Sequence, residues 1–322
     1  MTAHAGLVST IIPVYNRQEM LIDAVESVIS QTYRPIEIII VNDGSTDDTL
    51  NVAKKLAHKY HEVSLITIHN SGPGVAREHG RLNAQGEFIQ YLDSDDLLAP
   101  QKFEQQVKQL VINPDFGVSY CIQQYCTLDL TVIDPKWMRT SEHFKTMFPA
   151  MLGGRIWGTP APLYRSKLLE QAGPWRDLKN QEDWEYDCRV ASLGVELGYI
   201  PETLVTIRSH NEEHFGKVDK NDNRKLSDRI KAYQFIYNHA ITANIDNEHP
   251  EFQKFNRSLF LICRQSASHG LIADAKVLIQ MASTSTTSPK RKFEYKLYKL
   301  LSTLFGWSRI GKLSAQLDRV RN

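Results

Sequence analysis

Through the first hundred residues, short β-branched and aliphatic runs alternate with stretches whose apolar positions recur every three or four residues. That alternation predicts strands joined by crossover helices in a parallel sheet. Strands are expected over Leu7 to Val14, Ile36 to Val41, Val63 to His69 and Phe88 to Leu92. Helices are expected from Glu19 to Ser30, from Thr46 or Asp47 to about Tyr60, and from Pro73 to Ala84. The Ile36 run is almost wholly apolar, as a strand buried on both faces should be. A helix from Gln101 to Asn113 and a strand around Val118 to Cys126 continue the domain. A less regular stretch rich in Trp, Pro and Gly, Asp129 to Arg176, follows and is expected to shape a pocket.

Four polar clusters each follow a predicted strand: Tyr15-Asn16-Arg17, Asn42-Asp43-Gly44, Asn70 to Arg77, and Asp93-Ser94-Asp95-Asp96. Open parallel sheets bind ligands outside the carboxyl ends of their strands, where loops and helix amino termini converge. All four clusters should therefore share one rim and one site.

Beyond Asp222 the periodicity is helical, over about Arg224 to Ala243, Phe252 to Ser268 and Ile272 to Met281. The segment Ser283 to Ser288, all Ser and Thr, reads as a linker ending at Pro289. After Pro289 nine basic residues face two acids, a net charge of +7 that leaves the rest of the chain at −6. Phe293, Leu297, Leu300, Leu301, Leu304 and Phe305 lie at helical spacing among those cations. Two readings fit this tail: a basic amphipathic helix on an anionic membrane surface, or a terminal helix packed on the protein with a solvated basic face. The expected organisation is a sheet domain at 1–216, in two halves at about 7–100 and about 101–216, a helical extension at 217–282, a linker at 283–289 and the basic tail at 290–322. No internal repeat is visible.

Composition narrows the function classes. The 322 residues are 42% hydrophobic and 23% charged, as expected of a folded globular chain, and the formal net charge of +1 offers no overall attraction for nucleic acid. No run of about 18 apolar residues and no basic, apolar leader is present, so a cytoplasmic protein, at most peripheral at the inner face of a membrane, is expected. Cys121, Cys126, Cys188 and Cys263 have neither zinc-site spacing nor disulfide density and read as reduced, packed thiols.

Asp93 and Asp95, two apart in extended chain, can project to one face and share a Mg²⁺ or Mn²⁺ ion with substrate phosphates. The competing reading is a helix cap dipping into water. Glu182 and Asp183, before Trp184, open a predicted helix, where acids suit the helix dipole. A carboxylate there can also serve as a general base toward a hydroxyl.

Taken together, Val8-Ser9-Thr10-Ile11-Ile12-Pro13-Val14-Tyr15-Asn16-Arg17, Gln31 to Pro35, Glu37 to Asp47, Gly72 to Gly80 and Tyr91-Leu92-Asp93-Ser94-Asp95-Asp96 resemble the inverting glycosyltransferases of family 2. The resemblance covers about residues 7 to 210. It implies an α/β fold of the GT-A type, a Rossmann-like, mostly parallel sheet flanked by helices, here with a helical C-terminal extension. By position it implies that Pro13, Tyr15 and Arg17 line the nucleotide pocket, with Asp43 at the uracil edge and Arg77 beside it. Asp93 would face the ribose or the metal, and Asp95 would bridge the metal to the pyrophosphate. Glu182-Asp183-Trp184 resembles the acceptor-side motif, with Asp183 as base. Arg208-Ser209-His210 resembles a late segment that supplies an imidazole to the metal or a cation to the leaving group. His210 is the candidate there, with His214 close by. Two positions depart from the family pattern: Asn42 stands where an acid is frequent, and Glu78 where Asn is common.

The expected activity is transfer of a sugar, with inversion, from a nucleotide-diphosphate donor, UDP above others, to a saccharide or lipid-linked saccharide in polysaccharide or glycolipid synthesis. The rival within the same pocket is an inactive nucleotide-sugar binding module held at a membrane. A dinucleotide enzyme is disfavoured, because Gly72-Pro73-Gly74 lacks the third glycine of the fingerprint.

Overall fold

The structure is a computed structural model and is described over residues 3–209 and 223–321. Its first half is the expected alternation: β1 (His4–Val14), α1 (Gln18–Ile29), β2 (Ile36–Asp43), α2 (Thr49–Lys59), β3 (Val63–Ile68), α3 (Pro73–Asn83) and β4 (Gly86–Tyr91). Strand β1 pairs in parallel with β2 and β4, and β2 pairs in parallel with β3. The period of two sorts these strands between layers. Val8, Ile12, Ile38, Ile40 and Phe88 join one core with Leu21, Val25 and Val28 of α1. Ile11, Ile89 and Tyr91 point into the other. Gly80 lets α3 lie close on β1, since a Cβ there would come within 2.3 Å of Ile11 Cγ2.

The second half folds back onto the same sheet. After β5 (Leu97–Leu98) and α4 (Lys102–Ile112) come β6 (Phe116–Cys126), β7 (Val132–Asp134), a 3₁₀ turn at Ala150–Gly153, β8 (Pro162–Arg165), α5 (Ser166–Ala172), α6 (Glu182–Ala191) and β9 (Glu196–Arg208). The nine-stranded sheet runs β3-β2-β1-β4-β8-β6-β9-β5, with β7 on β6. Strand β8 is antiparallel to β4 and β6, while β6 and β9 are parallel, so the sheet is parallel at one side and mixed at the other.

Helices α7 (Asn223–Thr242), α8 (Pro250–Ser268), α9 (Ile272–Ser285), α10 (Pro289–Phe305) and α11 (Trp307–Arg321) complete the described chain. They share one core with the second half of the sheet domain, in which Met151, Trp157 and Trp184 join Tyr233, Phe255, Phe260 and Tyr295. The Ser/Thr segment expected as a linker is a packed helix-to-helix turn instead. Its first residues complete α9, and Ser285 and Thr286 are buried. The reason is hydrogen bonding: Asn256 Nδ2 donates to Ser285 Oγ at 3.0 Å and to the Ala282 carbonyl at 2.7 Å, so the small hydroxyl side chains satisfy buried groups. Ser288 then caps α10, with Pro289 in its first turn. All four cysteines are free and buried. Among the described residues no helix is long and apolar enough to cross a membrane.

Candidate active site

A cavity of about 480 Å³ opens at the carboxyl ends of β1, β2 and β4. Pro13, Tyr15, Arg17, Asp43, Arg77, Asp93, Asp95, Glu182 and Asp183 all line it, so residues far apart in sequence converge on one site. The loops are fastened to one another first. Asn16 Oδ1 accepts from the Thr46 backbone NH at 2.8 Å, and Thr49 Oγ1 accepts from the Arg17 NH at 3.0 Å, tying the loop after β1 to the loop after β2. Gly44 makes the second loop possible: its φ is +70°, and a Cβ would meet the Asn70 nitrogen at 2.7 Å. Asp43 holds the third loop, its two carboxylate oxygens accepting from the backbone NH of Ser71 at 2.6 Å and of Gly72 at 2.8 Å. Each oxygen retains a second lone pair.

Arg77, expected beside the nucleotide, lies buried in the cavity wall as a strut between two acids. It donates to Asp93 at 2.7 Å and to Glu182 at 3.2 Å, beneath a cation–π contact with Trp175 at 5.0 Å. Burial opposes its charge, but Asp93 and Glu182 more than offset that and hold it above its ordinary value. Its Nε–H is buried and has no hydrogen-bond partner among the described residues. Burial, with the Asp183 charge adding to it, pushes Glu182 up to about 7 against the pull of Arg77. Asp96 is buried beneath the rim, accepts from the Arg208 backbone NH at 3.1 Å, and is raised well above the carboxylate range by burial and by Asp95 and Asp93.

Asp183 stands in the first turn of α6 and accepts from Arg155 Nη1 at 2.6 Å and from the Trp184 backbone NH at 2.7 Å. Arg155 is itself fixed by Asp187 at 2.8 Å, which accepts in turn from Tyr164 Oη at 2.8 Å and from Trp157 Nε1 at 3.2 Å. Neither Arg155 nor Asp187 stood out in the sequence. The one available signal was the four-residue spacing of Asp183 and Asp187, which puts both on one helix face. A second hollow of about 450 Å³ adjoins the first and shares Asp93, Asp95, Thr159, Asp183 and Trp137 with it. Trp137 stacks on Tyr125 with ring centroids 5.3 Å apart and is another residue that the irregular stretch concealed.

One expected site residue, Trp184, is not brought into the cavity. Trp184 is buried in the core, donates to the Met151 carbonyl at 2.7 Å and meets Tyr233 and Phe255 edge-on. One helical step turns it about 100° from Asp183, so the acid faces the ligand side and the indole anchors α6 on the C-terminal helices. His210, with His214, lies outside the described residues.

The cavity's donor set fits a hard divalent cation shared with a ligand. Asp93 and Asp95 offer carboxylate oxygens on one wall, the number such an ion commonly takes from protein when phosphates complete its shell. Among the described residues no group of three or more His, Cys, Asp or Glu is set to enclose an ion without a ligand.

A family profile described as glycosyl transferase family 2 matches residues 9–170, half of the chain, including the rim residues from Pro13 to Asp95 but not Glu182 or Asp183. The chain belongs to that family. Among relatives of this family 2 glycosyltransferase, the uncharacterized glycosyltransferase YibD of Escherichia coli K12 is 37% identical over 118 residues. That stretch is 37% of this chain and 34% of YibD, so the chain spans about a third of YibD's own length. In solved structures, residues 1–349 of S. aureus TarS, in complex with UDP-GlcNAc, superpose with a TM-score of 0.73 at 17% identity, over 96% of this chain and 91% of that one. The mannosyltransferase PcManGT of Pyrobaculum calidifontis, in complex with GDP-Man and Mn²⁺, gives 0.53 at 17% identity, over 95% and 84%. These two likenesses show the GT-A fold, and the first extends it through the C-terminal helices.

Proposed function

We propose that this glycosyltransferase moves a sugar from a nucleoside diphosphate donor, a UDP-sugar, to a hydroxyl of a saccharide or lipid-linked saccharide, in one displacement that inverts the anomeric carbon. The observation that carries the reading is the convergence of Asp93, Asp95 and Asp183 on one cavity with Pro13, Tyr15, Arg17 and Asp43. The UDP and UDP-GlcNAc bound by TarS, which shares the fold, support the choice of base. The Mn²⁺ in PcManGT supports a metal.

In this reading Pro13, Tyr15 and Arg17 line the nucleotide pocket, with Asp43 at the uracil edge. Asp95, with Asp93, would hold Mn²⁺ or Mg²⁺. Bound there, the ion supplies Lewis-acid neutralisation of charge on the departing diphosphate. Asp183 accepts the proton of the acceptor hydroxyl as its oxygen bonds to the anomeric carbon, while the bond from that carbon to the phosphate oxygen breaks. Arg155, clamped by Asp187, fixes the direction in which Asp183 presents its oxygens. Synthesis of a cell-surface polysaccharide or a glycolipid is the proposed setting.

The test is thermal shift and nucleotide release with UDP-, GDP- and dTDP-sugars, with and without Mn²⁺, on the natural chain, Asp95→Asn and Asp183→Asn. Metal-dependent stabilisation by one nucleotide is expected, lost in Asp95→Asn. Asp183→Asn should retain donor binding and lose turnover by about 10²-fold or more. Undiminished turnover in both variants would refute the assignment. Donor binding without release or transfer in the natural chain would instead favour a binding module.

A further inference from the structure

We propose that α10 seats the protein on the surface of an anionic lipid bilayer. The inference is independent of the proposed reaction, since none of the residues concerned lines the cavity. Helix α10 has two apolar faces. One carries Tyr295 and Tyr298, buried against Phe260 and Trp307. The other carries Phe293, Leu297, Leu300 and Leu304, spaced four, three and four residues apart, and therefore aligned as one stripe on the opposite side. Those side chains are 42% to 69% exposed. A contiguous apolar stripe left in water across three turns of a helix, whose other face already anchors it, marks a surface that meets something apolar.

Charge identifies the occupant. Lys292, Lys296 and Lys299 form a row along one flank of the stripe, Lys290 stands on the other, and Arg309 and Lys312 of α11 are exposed close by in sequence. Among the described residues none of these six cations has a salt-bridge partner. The single acid of α10, Glu294, is taken by Arg257 at 2.7 Å, so nothing on this helix offsets the lysines. Aliphatic side chains that enter the acyl boundary, with lysines at head-group level, complement an anionic bilayer. A second copy of the chain suits the face less well, because stripe-to-stripe packing about a two-fold axis would bring the lysine rows of both copies together.

The experiment is co-sedimentation of the full chain with vesicles of phosphatidylcholine alone and of phosphatidylcholine with equal phosphatidylglycerol. Binding to the anionic vesicles, weakened by salt and much reduced on neutral ones, is expected. Replacing Lys292, Lys296 and Lys299 by Gln should cut partitioning by roughly fivefold per lysine, as about 1 kcal/mol each implies. Leu297→Ser with Leu300→Ser and Leu304→Ser should cut it further and leave the thermal midpoint nearly unchanged. Absence of binding to anionic vesicles, or lysine-variant binding equal to that of the natural chain, would overturn the proposal. A concentration-dependent dimer that the leucine variant abolishes would overturn it too, assigning the face to a second copy. Should the leucine variant aggregate, the lysine variant decides alone.

Discussion

Replacing Glu182 by Gln should make the protein more stable at alkaline pH, although it removes one end of an ion pair. In the folded chain the carboxyl is pushed up to about 7 from 4.5, chiefly by burial and then by Asp183. Between those two values the folded state holds a proton that the unfolded chain has released, so stability falls as pH rises through the window. The whole difference corresponds to about 3 kcal/mol at pH 8. Gln keeps the volume and the oxygen that accepts from Arg77 and cannot ionise, so this loss disappears. Chemical denaturation of both proteins from pH 4 to 8.5 in EDTA measures it, and their difference cancels the other titrating groups they share. The curves should meet near pH 4 and separate to at most about 3 kcal/mol by pH 8, with the variant above. Asp183→Asn in the same background should shrink the separation. A constant difference across pH, or a variant less stable at pH 8, would refute the account of Glu182 as a buried, charge-crowded acid.

Three further outcomes follow from the packing around α6 and α3. Trp184→Ala should cost about 3–5 kcal/mol in unfolding free energy, because it empties the junction with Tyr233 and Phe255; a loss under about 1 kcal/mol would show that the indole is not an anchor. Gly80→Ala should lower stability by about 1–3 kcal/mol through its clash with Ile11, read as a fall in the thermal midpoint. Arg155→Gln should reduce kcat by about 10- to 100-fold, as the loss of a charge-assisted hydrogen bond implies, with donor affinity retained and partial recovery in Arg155→Lys; a change in donor affinity alone would place Arg155 elsewhere in the cycle.

The parallel half was legible because its signals are local. Strands Ile36–Asp43 and Gly86–Tyr91 lie within two residues of expectation at each end, and the clusters after them reach one rim because every strand there runs the same way. Strand β8 was not legible: four residues, Pro162–Arg165, carry no readable alternation, and their place between β4 and β6 is fixed by pairing across more than forty residues of chain. Arg155 lay hidden for the same reason, its role resting on Asp183 and Asp187 in a different element. Trp184 illustrates another limit, since a motif places a residue in a segment but the helical step decides which way it faces. In the tail the period was right, yet composition could not tell the inward Tyr295 and Tyr298 from the outward Phe293 and Leu297.

The core shared by α6 and α7 to α10 bears on how such enzymes can be recombined. Trp184 is one position from the proposed base, and its ring rests on Tyr233 and Phe255. A cut after β9 would therefore expose the back of α6 to water. The natural unit of exchange begins before β6 and carries the C-terminal helices with it, so acceptor preference and those helices should be inherited together, while the β1 to β4 half can be grafted along the seam with β8, where the paired contact is short.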